Sequence, residues 1–481
     1  MLRVDGDAVD GFVGRARELA ALRRQLDRVR EGGRTGRPGR ALLMRGRRRV
    51  GKSRLVEEFA GRSGVPHLYF TASAQPSVEA DLRLFVEAAR ESDLPGAGLF
   101  TDQTPGSWDA ALRLLATALP ADGPSIVVLD EMPYLMATDP GFEGTLQKLF
   151  DRELSRLPVL LVCIGSDLAM MEALNEYGRP FHQRATEMVV PPLNPAEVGR
   201  MLGVRAAEAV DAYLVSGGLP LVLDEWRDGA GVLDYLAAAV ADPTSALVVS
   251  GERALAAEFP PDSQARLVLG AIGAGERTYT RIALAAGEIP KASLTRALNL
   301  LATKRVVASA LPLSTQPSRE TRYAVADPHL RFWLAFVGPH LPEIERGRGD
   351  LVLARIRSGW TTWRGRAVEP LVREALHRLP SGELPGSPAV VGGYWTRTND
   401  VEIDLVGADR EPVAKQITMV GSIKWLEQRP FDVHDLGELV AHRRRLPGAD
   451  AQTPLLAVSR VVGNLPGIRT LGPEDLLAAY D

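Results

Sequence analysis

The sequence predicts an α/β chain: a parallel sheet first, a helical stretch next, and a second α/β domain toward the C-terminal end. Three observations carry this. Short apolar runs, Ala41–Met44, Val65–Phe70, Ser125–Leu129 and Val159–Ile164, alternate with helical periodicities. That is the pattern of strands buried on both faces and joined by helices. One of these runs leads directly into a loop of glycines and a lysine. Farther on, a block of helix patterns ends in a strand pair, and strand signals return from Gly393 onward.

At 481 residues the chain has room for about three domains. Apolar residues make up 45% and charged residues 24%, the proportions of globular protein. A net charge of −3 excludes a chain basic throughout, and leaves room for a local basic face. The one cysteine, Cys163, sits in an apolar run, so no disulfide framework can form within the chain; this suits a reducing cytoplasm. No run of about 18 apolar residues predicts a membrane span. Met1 to Arg15 lacks the apolar core of a signal peptide.

The strongest motif lies between Leu42 and Leu55. Gly46, then Arg47, Arg48, Arg49 and Val50, then Gly51, Lys52 and Ser53 satisfy G-x-x-x-x-G-K-S/T. The glycines let the backbone turn tightly and approach an anion. Loop amides can form a nest for a β-phosphate. Lys52 offers charge to the β- and γ-oxygens, and the Ser53 hydroxyl can join a Mg²⁺ shell. The strand Ala41–Met44 before the loop and the helix Ser53–Gly61 after it, with Arg54 in its first turn, supply the right context. Gly46 through Arg54 is therefore the candidate phosphate site.

Ser125–Leu129 ends in Asp130 and Glu131. Asp130 can hold Mg²⁺ through water, and Glu131 can orient or deprotonate an attacking water. Ser166 follows the strand Val159–Ile164, as a candidate γ-phosphate sensor or a cap of the next helix. Tyr177-Gly178-Arg179 and His182-Gln183-Arg184 precede a strand, Glu187–Val190. Arg184, ahead of Arg179, is the candidate arginine finger; the alternative for each is a surface arginine. In a parallel sheet the ligand belongs at the carboxyl ends of the strands, where the loop, Asp130 and Ser166 fall.

Phe12-Val13-Gly14-Arg15 precedes a helix, Glu18–Arg30, with Leu19, Leu22 and Leu26 on one face, and a basic loop, Glu31–Pro38. Ahead of a phosphate loop, this resembles the N-terminal box of AAA-type and signal-transducing ATPases. The resemblance implies that Phe12, Val13 and Arg15 pack beside an adenine; for Arg15 the alternative is a solvated helix cap. Pro192–Glu197 opens a helical lid that ends at Ser216-Gly217-Gly218-Leu219-Pro220. The same resemblance implies a backbone contact to nucleotide at Gly218 and Pro220; the alternative is a plain turn between helices.

Helices Gln264–Gly273, Thr280–Ala286 and Pro290–Thr303, then strands Val306–Leu311 and Arg322–Val325, spell a winged helix. Lys291, Ser293, Thr295, Arg296 and Asn299 give the third helix a polar face that can enter a major groove. Sparse positive charge favours a packing module instead. Tyr323, Asp327, Pro328, Leu330, Arg331, Phe332 and Trp333 then form Y-x-x-x-D-P-x-L-R-F-W. After a winged helix, this resembles a prokaryotic, archaeal-type family of AAA/STAND-like P-loop ATPases with a restriction-endonuclease-like, PD-(D/E)xK tail. Phe332, Trp333 and Phe336 read as core.

Trp360–His377 reads as one helix bearing Glu369 and Glu374, and Leu379–Ser387 as a loop. Gly393–Arg397, Val401–Val406 and Met419–Trp425 read as strands, and His434–Arg445 as a solvated helix face. The family resemblance implies Asp404 and Glu369 as Mg²⁺ ligands, with Lys424 stabilising charge. Ser422 stands where that pattern has Glu or Gln, and a hydroxyl is a poor ligand for a hard divalent ion. The expected nuclease is therefore weak or lost. Glu402 and Asp404 also fit an alternating strand with one solvated edge.

The expected domains are a P-loop NTPase core (1–190), a helical lid (191–255), a winged helix (256–335), a helical linker (336–378) and an endonuclease-like domain (379–481). The expected function is Mg²⁺-dependent binding and hydrolysis of ATP to ADP, as a switch coupled to winged helix and tail. Lys52 and Ser53 hold phosphate and metal, Asp130 metal, Glu131 water, and Arg184 or a neighbour's arginine the γ-phosphate. Expected partners are nucleotide, with DNA, a protein partner or self-association beside it, in the cytoplasm and without a membrane. The rivals are a nucleotide-locked regulator with negligible turnover, and an ATP-gated nuclease in a defence or toxin-like system.

Overall fold

Two strands, Ser125–Asp130 and Val159–Gly165, are buried along their whole length, as strands covered by helices on both faces must be. They are the middle of a sheet in a computed structural model that describes residues 12–32, 36–166, 168–174, 176, 179, 182, 184–463 and 465–480. Residues 1–11, loop residues 33–35, Tyr177, Gly178 and Gln183 from the sequence readings lie outside those described. The chain divides into two units, Met1–Pro192 and Leu193–Asp481.

The first unit alternates helix and strand: α1 (Ala16–Arg30), β1 (Arg40–Arg45), α2 (Lys52–Ser63), β2 (His67–Thr71), α3 (Val78–Glu91), α4 (Trp108–Ala118), β3 (Ser125–Asp130), α5 (Met132–Thr138), α6 (Phe142–Arg152), β4 (Val159–Gly165), α7 (Leu168–Ala173) and β5 (Ala185–Val189). The strand order is β2-β3-β4-β1-β5, parallel throughout. This is the P-loop α/β sheet the sequence predicts. One face is packed by an edge-to-face aromatic chain, Phe70–Phe85–Trp108–Phe142, with ring centroids 5.0–5.4 Å apart. Cys163 is fully buried in β4, and burial pushes its thiol up to about 12.

The second unit opens with helices α8 (Pro195–Leu202), α9 (Ala206–Ser216), α10 (Pro220–Leu223), α11 (Val232–Ala241) and α12 (Ala246–Glu258). Asn194 caps α8 through a reciprocal box: its Oδ1 accepts from the Glu197 amide at 2.9 Å, and Glu197 Oε2 accepts from the Asn194 amide at 2.8 Å. Helices α13 (Gln264–Gly273), α14 (Tyr279–Ala285) and α15 (Lys291–Thr303) follow, then an antiparallel pair, β6 (Val307–Ala310) and β7 (Arg322–Val325). Short helices α16 (Pro328–Phe332) and α17 (Leu341–Glu345) lead to α18 (Gly349–Ala367) and α19 (Glu369–Arg378). Phe332 and Trp333 are buried, in one core with Trp360.

The single helix expected over Trp360–His377 is two. Pro370 is the second residue of α19 and has no N–H to donate to the preceding turn, so the helix restarts at Glu369. The last domain holds β8 (Val390–Trp395), β9 (Glu402–Ala408), β10 (Ile417–Lys424), α20 (Val433–Arg445), β11 (Leu455–Ser459), β12 (Arg469–Leu471) and α21 (Pro473–Ala478). Its mixed sheet runs β12-β11-β10-β9-β8, with β8, β9 and β10 antiparallel and β10, β11 and β12 parallel. Helix α20 has the solvated face expected of it, with His434, Glu438 and Arg444 exposed, and buries Asp435 and Leu439 on the other side.

The long tip between β6 and β7 does not stand free. Leu313 donates its amide to Gly393 O of β8 at 2.8 Å, and Ser314 O accepts from Ala414 at 2.9 Å. The Trp395 indole donates to Glu320 O at 2.7 Å, beneath the Arg322 guanidinium. Among the described residues no single helix is long and apolar enough to cross a membrane.

Candidate functional site

The site in the first unit is built at the carboxyl edge of the sheet, where β1, β3 and β4 end. The loop after β1 bends through Arg49 at φ 66° and Gly51 at φ 87°. Only Gly51 takes such a conformation without a steric penalty; Arg49 is held in it by the loop around it. Gly46 is required for another reason. A Cβ there would lie 2.5 Å from the Val190 carbonyl oxygen. Val50 is fully buried and anchors the loop.

Lys52 begins α2 and is buried at 6% exposure. Its ammonium donates to Gly46 O at 2.8 Å and Arg47 O at 3.0 Å. Burial lowers its pKa below the ordinary lysine range; the nearby Glu131 and Asp130 carboxylates oppose that shift, and the Arg48 charge adds to it. Ser53 is half-buried in the first turn, and Arg48, Arg49 and Arg54 are exposed.

Asp130 closes β3 at 2% exposure. Its Oδ2 accepts from the Tyr69 hydroxyl at 3.0 Å, and its Oδ1 accepts from the Glu131 amide at 2.8 Å. Glu131 is left-handed, at φ 53° and ψ 41°, and precedes α5. Both of its carboxylate oxygens accept from Ser166 Oγ, at 3.0 and 2.9 Å. Glu131 and Ser166, 35 residues apart in the sequence, thus meet across adjacent strand tips.

Arg15 is not a solvated cap. It is 3% exposed and donates to Pro191 O and Val50 O, both at 2.6 Å. It fastens the phosphate loop to the segment after β5. Phe12 and Val13 are half-buried, and Phe12 lies under Arg62 in the last turn of α2, with 5.8 Å from guanidinium to ring centroid.

Arg184 is not brought to the loop. It precedes β5, whose Ala185 aligns with Ala41 while its Val189 aligns with Arg45. That puts Arg184 at the amino edge, roughly 16 Å of strand from the turn after Arg45. There it donates through Nε to Asp151, at 3.1 and 2.9 Å. Arg179 pairs with Glu143 at 2.6 Å.

Gly218 and Pro220 belong to the second unit. Gly218, at φ 70°, carries the turn between α9 and α10, and Leu193 donates to its carbonyl at 2.9 Å. A Cβ there would fall 1.9 Å from Leu193 O.

The acids of the C-terminal domain are engaged by the chain itself. Asp404 Oδ2 accepts from Ser422 Oγ at 3.0 Å and the Ile423 amide at 2.8 Å. Glu369 Oε2 accepts from Arg373 at 3.0 Å, and Arg373 also donates to Asp404 O. Burial raises the pKa of both carboxyls, and Arg373 pulls each back. Lys424 does not face Asp404 in an ion pair; it pairs with the buried Asp435 of α20 at 2.9 Å. Glu369 and Asp404, the acids expected to hold a metal, are thus each engaged by neighbouring groups of the chain, Arg373 for the first and Ser422 with the Ile423 amide for the second. Among the described residues no group of three or more His, Cys, Asp or Glu is placed to hold a metal ion.

Tyr69 is the site residue that sequence reasoning missed. Its hydroxyl also lies 3.5 Å from Ser53 O. The sequence offered only a hydroxyl-bearing residue between Leu68 and Phe70 in an apolar run; its place on the strand next to the acidic one comes from the structure.

A family model described as "Archaea bacterial proteins of unknown function" (DUF234) matches residues 333–435. The uncharacterized protein MJECL04 of Methanocaldococcus jannaschii is 25% identical over 446 residues, covering 91% of this chain and 93% of its own length. The fold is similar to that of the Walker-type ATPase paby2304 of Pyrococcus abyssi, at 20% identity and a TM-score of 0.46, over 67% of this chain and 96% of that one. It is also similar to the ORC2 protein of Aeropyrum pernix in its ADPNP-ADP complexes, at 17% identity and a TM-score of 0.44, over 72% of this chain and 97% of that one.

Proposed function

We propose that the first unit binds ATP with magnesium and hydrolyses it, and that the nucleotide state is passed as a switch to the second unit. The observation that carries this is the gathering of Lys52, Asp130, Glu131 and Ser166 behind a G-x-x-x-x-G-K-S loop at one sheet edge. Lys52, released from the carbonyls of Gly46 and Arg47, turns its ammonium to the β- and γ-phosphate oxygens. Ser53 and Asp130 supply oxygen donors of the kind a hard divalent ion takes, and one tyrosine hydroxyl reaches both residues. Magnesium, when bound, neutralises charge on the phosphate oxygens. Glu131 takes a proton from water as the water oxygen bonds to the γ-phosphorus and the bond to the ADP oxygen breaks. Phe12, Val13 and Arg15 are the residues assigned to the nucleoside side.

One observation favours a slower version of the same function. Ser166 holds both oxygens of Glu131, so the base is engaged before any water arrives. A nucleotide-locked regulator with rare turnover fits that arrangement. In either case the outputs are the three-helix and hairpin module and the C-terminal domain of a cytoplasmic protein. The polar face of α15, with Lys291, Thr295, Arg296 and Asn299 exposed, is the surface offered to DNA. The engaged acids at Glu369 and Asp404 argue for a tail that binds rather than cuts.

The test is equilibrium binding of a fluorescent ATP analogue. Lys52→Ala should weaken binding at least about tenfold, the loss of one charge-assisted contact; unchanged affinity rejects the site. Release of many phosphates per protein marks an enzyme, and release of one bound equivalent marks the locked regulator. Glu131→Gln should keep binding and lose release.

A further inference from the structure

Three strands adjacent in the sheet, β2, β3 and β4, are linked toward the carboxyl edge by a chain of side-chain hydrogen bonds. Tyr69 donates to Asp130, Asp130 accepts the Glu131 amide, and Glu131 accepts from Ser166. We propose that Tyr69 is a positioning residue for magnesium at this site: its hydroxyl fixes the carboxylate of Asp130 and, through it, the backbone of Glu131. The proposal rests on the magnesium–nucleotide reading given above.

The argument starts from Asp130, which is 2% exposed. Solvent cannot orient such a carboxylate, so its donors must. It has two, one on each oxygen, at 3.0 and 2.8 Å. The second is the amide of Glu131, a non-glycine residue in the left-handed region at φ 53°. That conformation persists only where the surroundings impose it. Asp130 Oδ1 is the acceptor that holds the Glu131 N–H there, and Tyr69 holds Asp130. Without the phenol, the buried Oδ2 has lost its donor and the carboxylate can turn about its last torsion. Both acids then drift together.

The tyrosine's second neighbour strengthens the point. Its hydroxyl is 3.5 Å from Ser53 O in the first turn of α2. It therefore stands between the two residues assigned to the metal. The ring comes from β2, a strand outside both the phosphate loop and the acidic strand. A motif search confined to those two segments does not reach it.

The experiment uses the full chain and mant-ADP as the probe. Affinity is measured in EDTA and across a magnesium titration, with phosphate release from ATP alongside. For Tyr69→Phe the structure gives metal-free affinity within about twofold of wild type, and a magnesium half-saturation raised about tenfold, as expected for losing one hydrogen bond to a charged group. Its kcat falls while its KM for nucleotide moves little. Tyr69→His retains a ring N–H donor; it should recover part of the magnesium response and carries the test should the phenylalanine variant not fold. A wild-type magnesium midpoint and kcat in Tyr69→Phe overturn the proposal. Wild-type protein that binds mant-ADP at no magnesium concentration overturns the site reading itself, and this proposal with it.

Discussion

Arg364 of α18 donates to Asp211 of α9 at 2.8 Å, with side chains 0% and 4% exposed. Asp211 also accepts from the Trp425 indole at 3.0 Å and from Arg460 at 3.1 Å. Glu427 pairs with both arginines, at 2.5 and 2.9 Å. This network pins a helix of the opening bundle to the ends of β10 and β11 in the C-terminal sheet. The two parts of the second unit are thus fastened through charge as well as apolar packing.

Removing Asp211 leaves Arg364 and Arg460 sharing one half-exposed carboxylate, Glu427, and leaves the buried Trp425 indole without its acceptor. Asp211→Ala should destabilise the second unit by about 3–5 kcal/mol. Urea unfolding followed by tryptophan fluorescence measures it, since Trp425 reports on the spot. Asp211→Leu combined with Arg364→Met should restore part of the loss, because apolar groups replace the pair. A loss below about 1 kcal/mol for the single variant would show that water enters the network.

The β6–β7 hairpin is held to the C-terminal sheet by Glu402, which accepts from Arg322 at 2.6 Å and pairs with Arg277 at 3.3 Å. Burial alone would raise the Glu402 pKa, but Arg322 and Arg277 outweigh it and hold the carboxyl below the ordinary range. A carboxyl depressed in the folded state stabilises above its unfolded pKa and loses that contribution as pH falls through the folded value. Wild type should therefore exceed Glu402→Gln in stability at about pH 6, and the gap should begin to close near the unfolded carboxyl value of about 4.3 and vanish only below the depressed folded value. Melting curves across that range, with hydrogen exchange on β7 and β9, decide it. A gap that stays constant down to the lower pH removes the ion pair from the explanation.

Gly46→Ala is the sharpest probe of the phosphate loop. The added carbon meets a backbone oxygen, not a movable side chain, so the loop or the segment after β5 must shift. Overpacking of this kind costs about 1–3 kcal/mol. Nucleotide affinity should fall by more than tenfold while circular dichroism stays unchanged. Wild-type affinity would mean that the Val190 segment gives way freely.

Much of the first unit was legible because its signals are local. The loop, the lysine and the two acids are read from spacing within single segments. Tyr69 was not, because its role depends on the β2–β3 pairing that sets it beside Asp130, and register is a long-range property. In the C-terminal domain β8, β9 and β10 could be read, but the partner of Lys424 could not: Asp435 lies on a helix whose packing no periodicity reveals. The break at Pro370 is legible in the sequence, because a proline inside a helix pattern lacks the N–H of the preceding turn. β11 and β12 are short and have flanking turns that read as loop.

Arg184 shows what strand direction adds. A residue that precedes a parallel strand lies at the amino edge, opposite the loops that follow the strands. Bound to Asp151 at that edge, Arg184 cannot serve the phosphate loop of its own chain. Arg184→Ala in dilute protein should leave phosphate release within about twofold of wild type. Its stability should change by less than about 0.5 kcal/mol, as for an exposed side chain in a surface pair. If a neighbouring copy uses this arginine, the variant's deficit appears only as protein concentration rises, and mixing with a Glu131→Gln partner changes its rate. Release assayed from nanomolar to micromolar protein reads this directly. A deficit that is large and independent of concentration would mean that the amino-edge placement does not persist in the nucleotide-bound chain.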